Sequence, residues 1–317
     1  MYARYNEISS RHLTQKIKVR MGPDGLLLFD RQTGVNLLFD ELRIPQEQWS
    51  AAPRHVSIAL TNTCDLECPH CYAPKHSAKL SNEQLFAWLD ELDANDCIGV
   101  GFGGGEPTLY KNFIDVCKHV SRNTRMAATF TTHGHRINDR VASDLKGNIH
   151  FIRVSMDGVG PTYEGLRNRR FSSFVQQLEL IHQIAPFGIN YLVNKLTLPD
   201  LDDGIALAVE YGASEFLLLP EQPVRGYGGI DNQTIMKLRA QIKSFQSPIP
   251  LRISEAGSEQ FSICDPFPNE KGLRAYAHID ASGAVKRSSF DDSGVIISSK
   301  GIMHALEILE TAGGRYE

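Results

Sequence analysis

The sequence of 317 residues lacks the features that mark membrane, secreted and nucleic-acid-binding proteins. None of its apolar runs approaches the roughly 18 residues that a membrane-spanning helix needs. Residues 1–7 lack the apolar stretch of a secretory signal peptide. The net charge is −4, whereas a general nucleic-acid-binding surface is normally basic. We therefore expect a cytoplasmic protein that neither inserts into membranes nor binds nucleic acid in general.

Cysteine is also scarce, with six residues in the whole chain. A chain this long and this poor in thiols does not match the disulfide frameworks of small secreted proteins. Its composition is 42% hydrophobic and 22% charged, as in ordinary globular domains, so a core of normal size needs no cross-links. Three dispersed and three clustered thiols fit a reducing compartment. The dispersed ones are Cys97 and Cys117, which we expect to serve packing, and Cys264.

The clustered cysteines are Cys64, Cys68 and Cys71, spaced C-x-x-x-C-x-x-C in a polar loop that follows the strand-like run 55–60. Thiolate ligands select zinc, copper(I) or iron–sulfur clusters. A structural zinc site with His70 or His76 as its fourth ligand would usually show paired C-x-x-C elements, which this loop lacks. Three thiolates on a four-iron cluster instead leave one iron open to hold a substrate or a cofactor.

This spacing, the preceding strand and the missing fourth thiol resemble the radical S-adenosylmethionine (SAM) superfamily. In that family the open iron chelates the amino and carboxylate groups of SAM. The resemblance implies one 4Fe–4S cluster on the three clustered cysteines, SAM bound beside it with His70 among its contacts, and a reductant such as flavodoxin or ferredoxin. It also implies reductive cleavage of SAM to a 5′-deoxyadenosyl radical, which abstracts a hydrogen atom from a substrate.

Strand-like runs alternate with helical patterns from residue 55 to about residue 219. Such alternation predicts a parallel sheet with right-handed crossovers, although periodicity alone does not separate a doubly wound sheet from a partial barrel. The resemblance favours the α/β fold of a partial (β/α)6 TIM-type barrel, whose active site lies at the carboxyl ends of the strands. Strands are expected at 55–60, 98–102, 127–131, 150–155, 189–194 and 216–219, and helices at 82–92, 113–121, 139–145, 171–184 and 202–211.

Two smaller segments flank the predicted barrel. A β-hairpin with strands at 25–30 and 35–40 forms the lead-in, and a small α+β extension with a helix at 232–245 and a strand at 250–254 closes the barrel mouth. We expect domain boundaries of 1–52 for the lead-in, 53–230 for the barrel and 231–317 for the extension. Residues 225–229 are rich in glycine and are predicted to form a flexible lid.

The second strand is followed by Gly103-Gly104-Gly105-Glu106-Pro107. Glycines let the backbone approach a ligand closely, and proline fixes the turn. In this place the run matches the GGEP motif of the family. By resemblance, Gly104, Gly105 and Glu106 hold the methionyl ammonium of SAM, and Pro107 belongs to the same cofactor-binding loop.

Polar residues follow the next three strands, and the resemblance assigns several of them to SAM. Thr132-His133-Gly134 stands where the family often has a Thr-Asn-Gly-like segment, so Thr132 is expected at the cofactor. His133 is either a hydrogen-bonded loop residue or, with His135 as the alternative, a group that faces the cavity, positions SAM or the substrate and exchanges protons. The pattern Ser155-Met156-Asp157-Gly158, with Arg167 downstream, implies SAM contacts from Ser155 and Arg167 and a mainly structural Asp157. Asn194 is expected near the SAM ribose or as a cap of the fifth strand.

The substrate contacts are expected from Glu221 and Gln222, which follow the sixth strand at the barrel mouth. The tail weakly resembles a cysteine-rich extension that carries auxiliary clusters, but it has a single cysteine, Cys264. We therefore expect it to be free of clusters. Cys264 is either a packed residue or a thiol that returns a hydrogen atom to a substrate radical.

The S-x-D-G…R…F pattern, which ends at Phe171, looks like the peptide-modifying branch of the family. The resemblance thus implies modification of a ribosomally synthesised peptide, by redox-neutral chemistry in the absence of auxiliary clusters. A small-molecule natural product or a nucleotide is the alternative substrate. An iron–sulfur or zinc-binding regulatory protein, which would bind metal without cleaving SAM, is the alternative that is not an enzyme.

Overall fold

The computed structural model describes residues 17–74, 76–224, 228–259 and 261–313. Residues 225–227 of the predicted lid and the N-terminal residues 1–7 lie outside these ranges. Within the described residues, none of the helices combines the length and the hydropathy that crossing a membrane requires.

The N-terminal lead-in is a three-stranded antiparallel sheet in the order β1-β2-β3. The predicted hairpin is present as β2 (Gly25–Asp30) and β3 (Val35–Phe39), and β1 (Ile17–Gly22) pairs with β2. β1 was not predicted, because the charged Lys18 and Arg20 occupy its buried positions whereas Val19 is exposed. Lys18 pairs with Asp93, and Arg20 pairs with Glu270. Polar contacts therefore attach this sheet to the rest of the chain.

The main sheet has ten strands within the described residues, in the order β10-β9-β8-β7-β6-β5-β4-β11-β12-β13. Its strands β4 to β9 are all parallel, and each pairs with the next along the chain, as a β/α barrel requires. The six predicted strands are present, each within about two residues of its predicted bounds. They are β4 (His55–Thr61), β5 (Gly99–Gly104), β6 (Ala127–Thr132), β7 (Phe151–Met156), β8 (Phe187–Val193) and β9 (Glu215–Pro220).

Helices separate these strands and cover the outer face of the sheet. The first begins after Ser81, whose side chain accepts a hydrogen bond from the Gln84 backbone N–H, as the capping-box spacing predicts. A helix at Pro161–Arg167 was not predicted. The helices are α1 (Asn82–Ala94), α2 (Phe113–Asn123), α3 (Asp139–Leu145), α4 (Pro161–Arg167), α5 (Phe171–Ile184), α6 (Leu201–Glu210), α7 (Asn232–Ser244) and α8 (Ile302–Gly313).

The C-terminal segment extends both edges of the main sheet. On one edge β10 (Leu251–Ile253) pairs in parallel with β9. On the other, β11 (Tyr276–Ile279) pairs in parallel with β4, and β12 (Ala284–Lys286) and β13 (Val295–Ile296) follow in antiparallel fashion. The first barrel strand is thus flanked by a strand from the chain's last fifth. The domain boundaries at residues 52 and 230 stay a prediction.

Side chains alternate between the two faces of the barrel strands. In β7, Ile152 and Val154 are fully buried in the hydrophobic core, whereas Arg153 and Ser155 line a cavity on the inner face. Because the carboxyl ends of parallel strands meet at one edge, the loops after β4, β5, β6 and β7 open into the same cavity. The fold therefore brings together segments that are distant in the sequence.

Candidate active site

The cysteine loop forms one wall of a cavity of about 440 Å³ inside the barrel. Cys64, Cys68 and Cys71 line it, and all three are free and half-buried. Burial raises the pKa of the Cys64 and Cys68 thiols, and neighbouring acidic groups and thiols add to the shift. The ligand must lose this proton when a metal binds, but a bound metal ion deprotonates a coordinating thiol outright, so the raised pKa is compatible with metal binding. The three sulfurs are thus available as ligands.

The glycine loop after β5 lies against the start of the cysteine loop. The backbone N–H of Gly105 donates to the Thr61 carbonyl at 2.7 Å, and that of Glu106 donates to the Thr63 carbonyl at 2.8 Å. A Cβ atom on Gly105 would overlap the Thr63 carbonyl. Only glycine permits this approach, so the sequence Gly-Gly-Glu fixes the position of the cysteine loop.

Gly105→Ala is expected to displace the cysteine loop and to reduce the iron bound after reconstitution by more than half, because the new methyl group occupies the place of the Thr63 carbonyl. Overpacking of this kind also costs about 1–3 kcal/mol of stability. Iron analysis and thermal unfolding measure the two effects. Gly103→Ala is the matched control, since a Cβ there meets nothing within 4 Å. Equal iron content in the two variants would contradict the prediction.

Glu106 is 1% exposed and holds the loops after β5 and β6 together. Its Oε1 accepts hydrogen bonds from the Thr108 hydroxyl at 2.7 Å and the Thr132 hydroxyl at 2.9 Å. Its Oε2 accepts from the His133 backbone N–H at 3.1 Å. A carboxylate has about four acceptor positions. Since the other nitrogen near Oε2, His133 Nε2, is 3.4 Å away and lies closer to Asp65, Oε2 can accept one further donor from the cavity.

His133 links the β6 loop to the cysteine loop. Its Nδ1 accepts from the His135 backbone N–H at 3.1 Å, and its Nε2 lies 2.9 Å from Asp65 Oδ1. A neutral ring that accepts at Nδ1 carries its proton on Nε2, which then donates to Asp65. The nearby His135 lies 2.8 Å from the Tyr163 hydroxyl, and burial lowers its pKa to about 4. These contacts show both histidines in hydrogen-bonded networks.

A buried ion pair joins the β7 loop to the helix α4. Arg167 Nε donates to Asp157 Oδ2 at 2.6 Å, and His70 Nε2 lies 3.0 Å from the same oxygen. Burial on its own would raise the pKa of Asp157, but Arg167 and His70 outweigh it and hold that pKa well below the usual range. Asp157 therefore orients both groups, while the terminal nitrogens of Arg167 make no further hydrogen bond within the described residues.

Most of the predicted site residues line the cavity, and four do not. Ser155, Glu221 and Gln222 line it together with the cysteines and Gly104 to Glu106. Asn194 lies outside the lining, because its Oδ1 accepts from the backbone N–H groups of Leu196 and Thr197. The other residues outside it are Pro107, which begins a short helical turn, His135, and Cys264, which is exposed. Cys97 and Cys117 are fully buried, as predicted.

The far end of the cavity consists of residues that were not predicted. They have polar side chains at alternating positions of the barrel strands and of β11. This period-two pattern of polar residues within otherwise apolar strands was the available signal for the barrel strands. The residues are His55, Ser57, Thr129, Arg153, Asn190, Tyr276 and His278.

Residues 58–206 match the family model described as the radical SAM superfamily. This part of the chain is therefore similar to radical SAM domains, as its motifs predict. Among its relatives, the mycofactocin maturase MftC of Mycobacterium ulcerans is 30% identical over 173 residues, which are 51% of this chain and 46% of that protein. The GTP 3′,8-cyclase of Brucella ovis is 28% identical over 170 residues, 50% of this chain and 48% of that protein. The chain thus spans about half the length of these relatives.

The fold is similar to that of Streptococcus suis SuiB bound to S-adenosylmethionine, with a TM-score of 0.68 and 14% identity over 86% of this chain and 81% of that one. The structure of SuiB bound to the precursor peptide SuiA matches with a TM-score of 0.70 and 12% identity over 92% of this chain and 87% of that one. These likenesses concern the fold, and they confirm the predicted partial-barrel architecture.

Proposed function

We propose that this chain is a radical SAM enzyme with one 4Fe–4S cluster on Cys64, Cys68 and Cys71 and with SAM beside it in the cavity. The observation that carries the proposal is that three free thiols of a radical SAM domain open into the same cavity as the Gly-Gly-Glu loop. The donor set fits the cluster, because three thiolates leave one iron for a cofactor. When bound and reduced, this pair of groups supplies a 5′-deoxyadenosyl radical that abstracts a hydrogen atom from the substrate.

The residues around the cysteine loop have free hydrogen-bonding capacity that suits the two charged groups of SAM. Glu106 Oε2 has room for an ammonium donor, and the terminal nitrogens of Arg167 suit a carboxylate in a fork geometry. The Ser155 hydroxyl makes no hydrogen bond within the described residues. Buried His70 Nδ1 also lacks a protein partner there, which supports a ligand against its ring.

The same geometry suits His133 as a positioning residue. Its ring joins Asp65 of the cysteine loop to the loop that carries Glu106, so it holds the ligands of both cofactors in one arrangement. Both ring nitrogens already have partners, which favours positioning over proton exchange with a ligand. Cys264 lies at the exposed surface, which disfavours it as a hydrogen donor to a radical inside the barrel.

A ribosomally synthesised peptide is the proposed substrate. Support comes from the similarity to the MftC maturase and to SuiB, which is seen with a precursor peptide, and from the Ser155…Arg167 pattern of the chain itself. A small molecule or nucleotide is the second candidate, because a GTP cyclase is almost as similar in sequence and a cavity of about 440 Å³ also holds a small ligand. The only cysteine of the tail is Cys264, which favours redox-neutral chemistry without an auxiliary cluster.

Anaerobic reconstitution tests the proposed function. With iron and sulfide the protein is expected to bind about four irons, the content of one cluster. After addition of dithionite and SAM it is expected to form 5′-deoxyadenosine and methionine, and more of both when a precursor peptide encoded beside its gene is present. One bound zinc, or a full cluster with no 5′-deoxyadenosine in the presence of candidate substrates, would overturn the enzymatic function. Stimulation by nucleotides and not by peptides would support the second candidate.

A further inference from the structure

The cavity continues below the proposed cofactor site to a polar floor between β4, β7, β8 and β11. Arg153 lies on the inner face of β7, two residues before Ser155, which corresponds to about 7 Å along the strand. The side chains that surround it are hydrogen-bonding groups and not the aliphatic residues that usually fill a barrel. We define the floor as His55, Ser57, Thr129, Arg153, Asn190, Tyr276 and His278.

Glycines of the neighbouring strand keep the floor open. His55 lies across β5, and a Cβ atom on Gly101 would stand 3.0 Å from its Nε2 and 3.2 Å from the Thr129 hydroxyl. A Cβ on Gly99 would stand 3.4 Å from His55 Nδ1. Any residue larger than glycine at position 101 would thus crowd the imidazole, whereas a Cβ at position 99 would only come into contact with it. The space beside His55 therefore depends on the glycines of β5.

Positive charge exceeds negative charge around the floor. Arg153 and Arg252 both pair with Glu215, so two guanidinium groups share one carboxylate. Arg252 is 60% exposed and lies outside the cavity lining, as does Glu215, whereas Arg153 faces the cavity. Within the described residues the acidic groups of the cavity lining are Glu106, Asp157 and Glu221, all beyond the carboxyl ends of the strands. The floor itself has none.

The histidines of the floor are neutral groups with hydrogen-bonding capacity. Burial, followed by Arg153 and Arg54, lowers the pKa of His55 to about 4, and its ring makes no hydrogen bond within the described residues. Burial likewise lowers the pKa of His278 to about 4, and its Nδ1 lies 2.6 Å from the Ser57 hydroxyl. The Asn190 side-chain amide accepts from Arg153 at 3.4 Å and keeps its own N–H donors. Donors thus outnumber acceptors around Arg153.

We propose that the floor is a substrate subsite that binds a carboxylate, with Arg153 as its charged contact and His55 and Asn190 as hydrogen-bond donors. The proposal rests on the proposed function for the identity of the neighbouring cofactor site. A carboxylate accepts about four hydrogen bonds and pairs with a guanidinium through strong charge-assisted hydrogen bonds. The carboxylate belongs either to an acidic side chain of the substrate or to a free C-terminus.

Three probes separate these sources in NMR titrations of the reconstituted protein with SAM. N-acetylglutamate N-methylamide offers a side-chain carboxylate, N-acetylglycylglycine offers a terminal one, and N-acetylglutamine N-methylamide is the neutral isostere. At least one acidic probe is expected to bind about ten-fold more tightly than the neutral probe, the effect of a charge-assisted hydrogen bond. The acidic probe with the lower dissociation constant identifies the source.

Arg153→Gln is expected to abolish the preference for the acidic probe, and Arg252→Gln is the matched control. Both variants remove one partner of Glu215, but only the first changes the floor. Arg153→Lys keeps the charge and is expected to retain a large part of the preference. This variant still tests the subsite if Arg153→Gln does not fold. Equal binding of acidic and neutral probes by the wild type, or an equal loss of preference in Arg153→Gln and Arg252→Gln, would overturn the subsite. Binding is read without turnover, so a failure to cleave SAM would count against the proposed function alone.

Discussion

Replacing Cys64, Cys68 and Cys71 together with alanine is expected to remove the bound iron and to abolish 5′-deoxyadenosine formation. The three thiols are the cysteines that line the cavity, and a cluster has no other soft ligands within the described residues there. Iron and sulfide analysis, the visible absorbance of the reconstituted protein and chromatographic measurement of 5′-deoxyadenosine all report the change. The loss should be complete within detection.

Cys264→Ala is the matched control for this experiment. Cys264 is exposed and lies outside the cavity lining, so its variant should bind as much iron as the wild type and form as much product. Iron retained by the triple variant would contradict the assignment of the cluster. If Cys264→Ala cleaved SAM at the normal rate but no longer converted the substrate, the result would instead support Cys264 as a hydrogen donor.

Asp157→Ala is expected to destabilise the protein by about 3–5 kcal/mol, because it leaves the Arg167 guanidinium, only 9% exposed, without its buried partner. Urea unfolding of the unreconstituted protein measures the change without a contribution from cofactors. Asp265→Ala is the control. It breaks an exposed pair with Lys271, which is worth at most about 1 kcal/mol. Similar losses in the two variants would contradict a special role of the buried pair.

The contribution of Asp157 also has a defined pH dependence. Its pKa is held well below that of a carboxyl in an unfolded chain, which is about 4. The unfolded chain therefore takes up the proton first as the pH falls. The stabilisation is complete above about pH 5 and declines under more acidic conditions. The difference in unfolding free energy between the wild type and Asp157→Ala should accordingly shrink as the pH falls below about 5.

The barrel was predictable because each of its strands and most of its helices carries a local pattern. Apolar runs, the capping pair Ser81 and Gln84, and the regular alternation are all read within a few residues. The strand β1 lacked such a signal, since its buried positions hold Lys18 and Arg20, whose partners lie far along the chain. The added strand β11 was also missed as a neighbour of β4, because sequence patterns do not report pairing over such distances.

The site residues likewise include some that a local motif predicts and others that only the fold brings together. The cysteine and glycine loops were predicted because their spacing carries the chemistry. The ion pair of Asp157 with Arg167 was not, because a plain turn and a helix-start charge look the same in a sequence whether or not they meet. Arg153 and His55 look like ordinary polar residues in apolar strands, and only the fold shows that both line one cavity. Asn194 was expected near the SAM ribose or as a cap of the fifth strand, and its side chain accepts hydrogen bonds from the turn that follows the strand.

The pairing of β11 with β4 has a consequence for how the chain acquires its structure. Ser57 and His278 are in hydrogen-bond contact although 221 residues separate them in the sequence. During synthesis the first barrel strand emerges long before this neighbour does, and its open edge stays available for incorrect pairing throughout that time. Contacts this distant slow folding, because the whole intervening loop must be closed first. We therefore expect the floor of the cavity to be completed only after β11 has been synthesised, and truncation before residue 276 to remove the wall that β11 supplies.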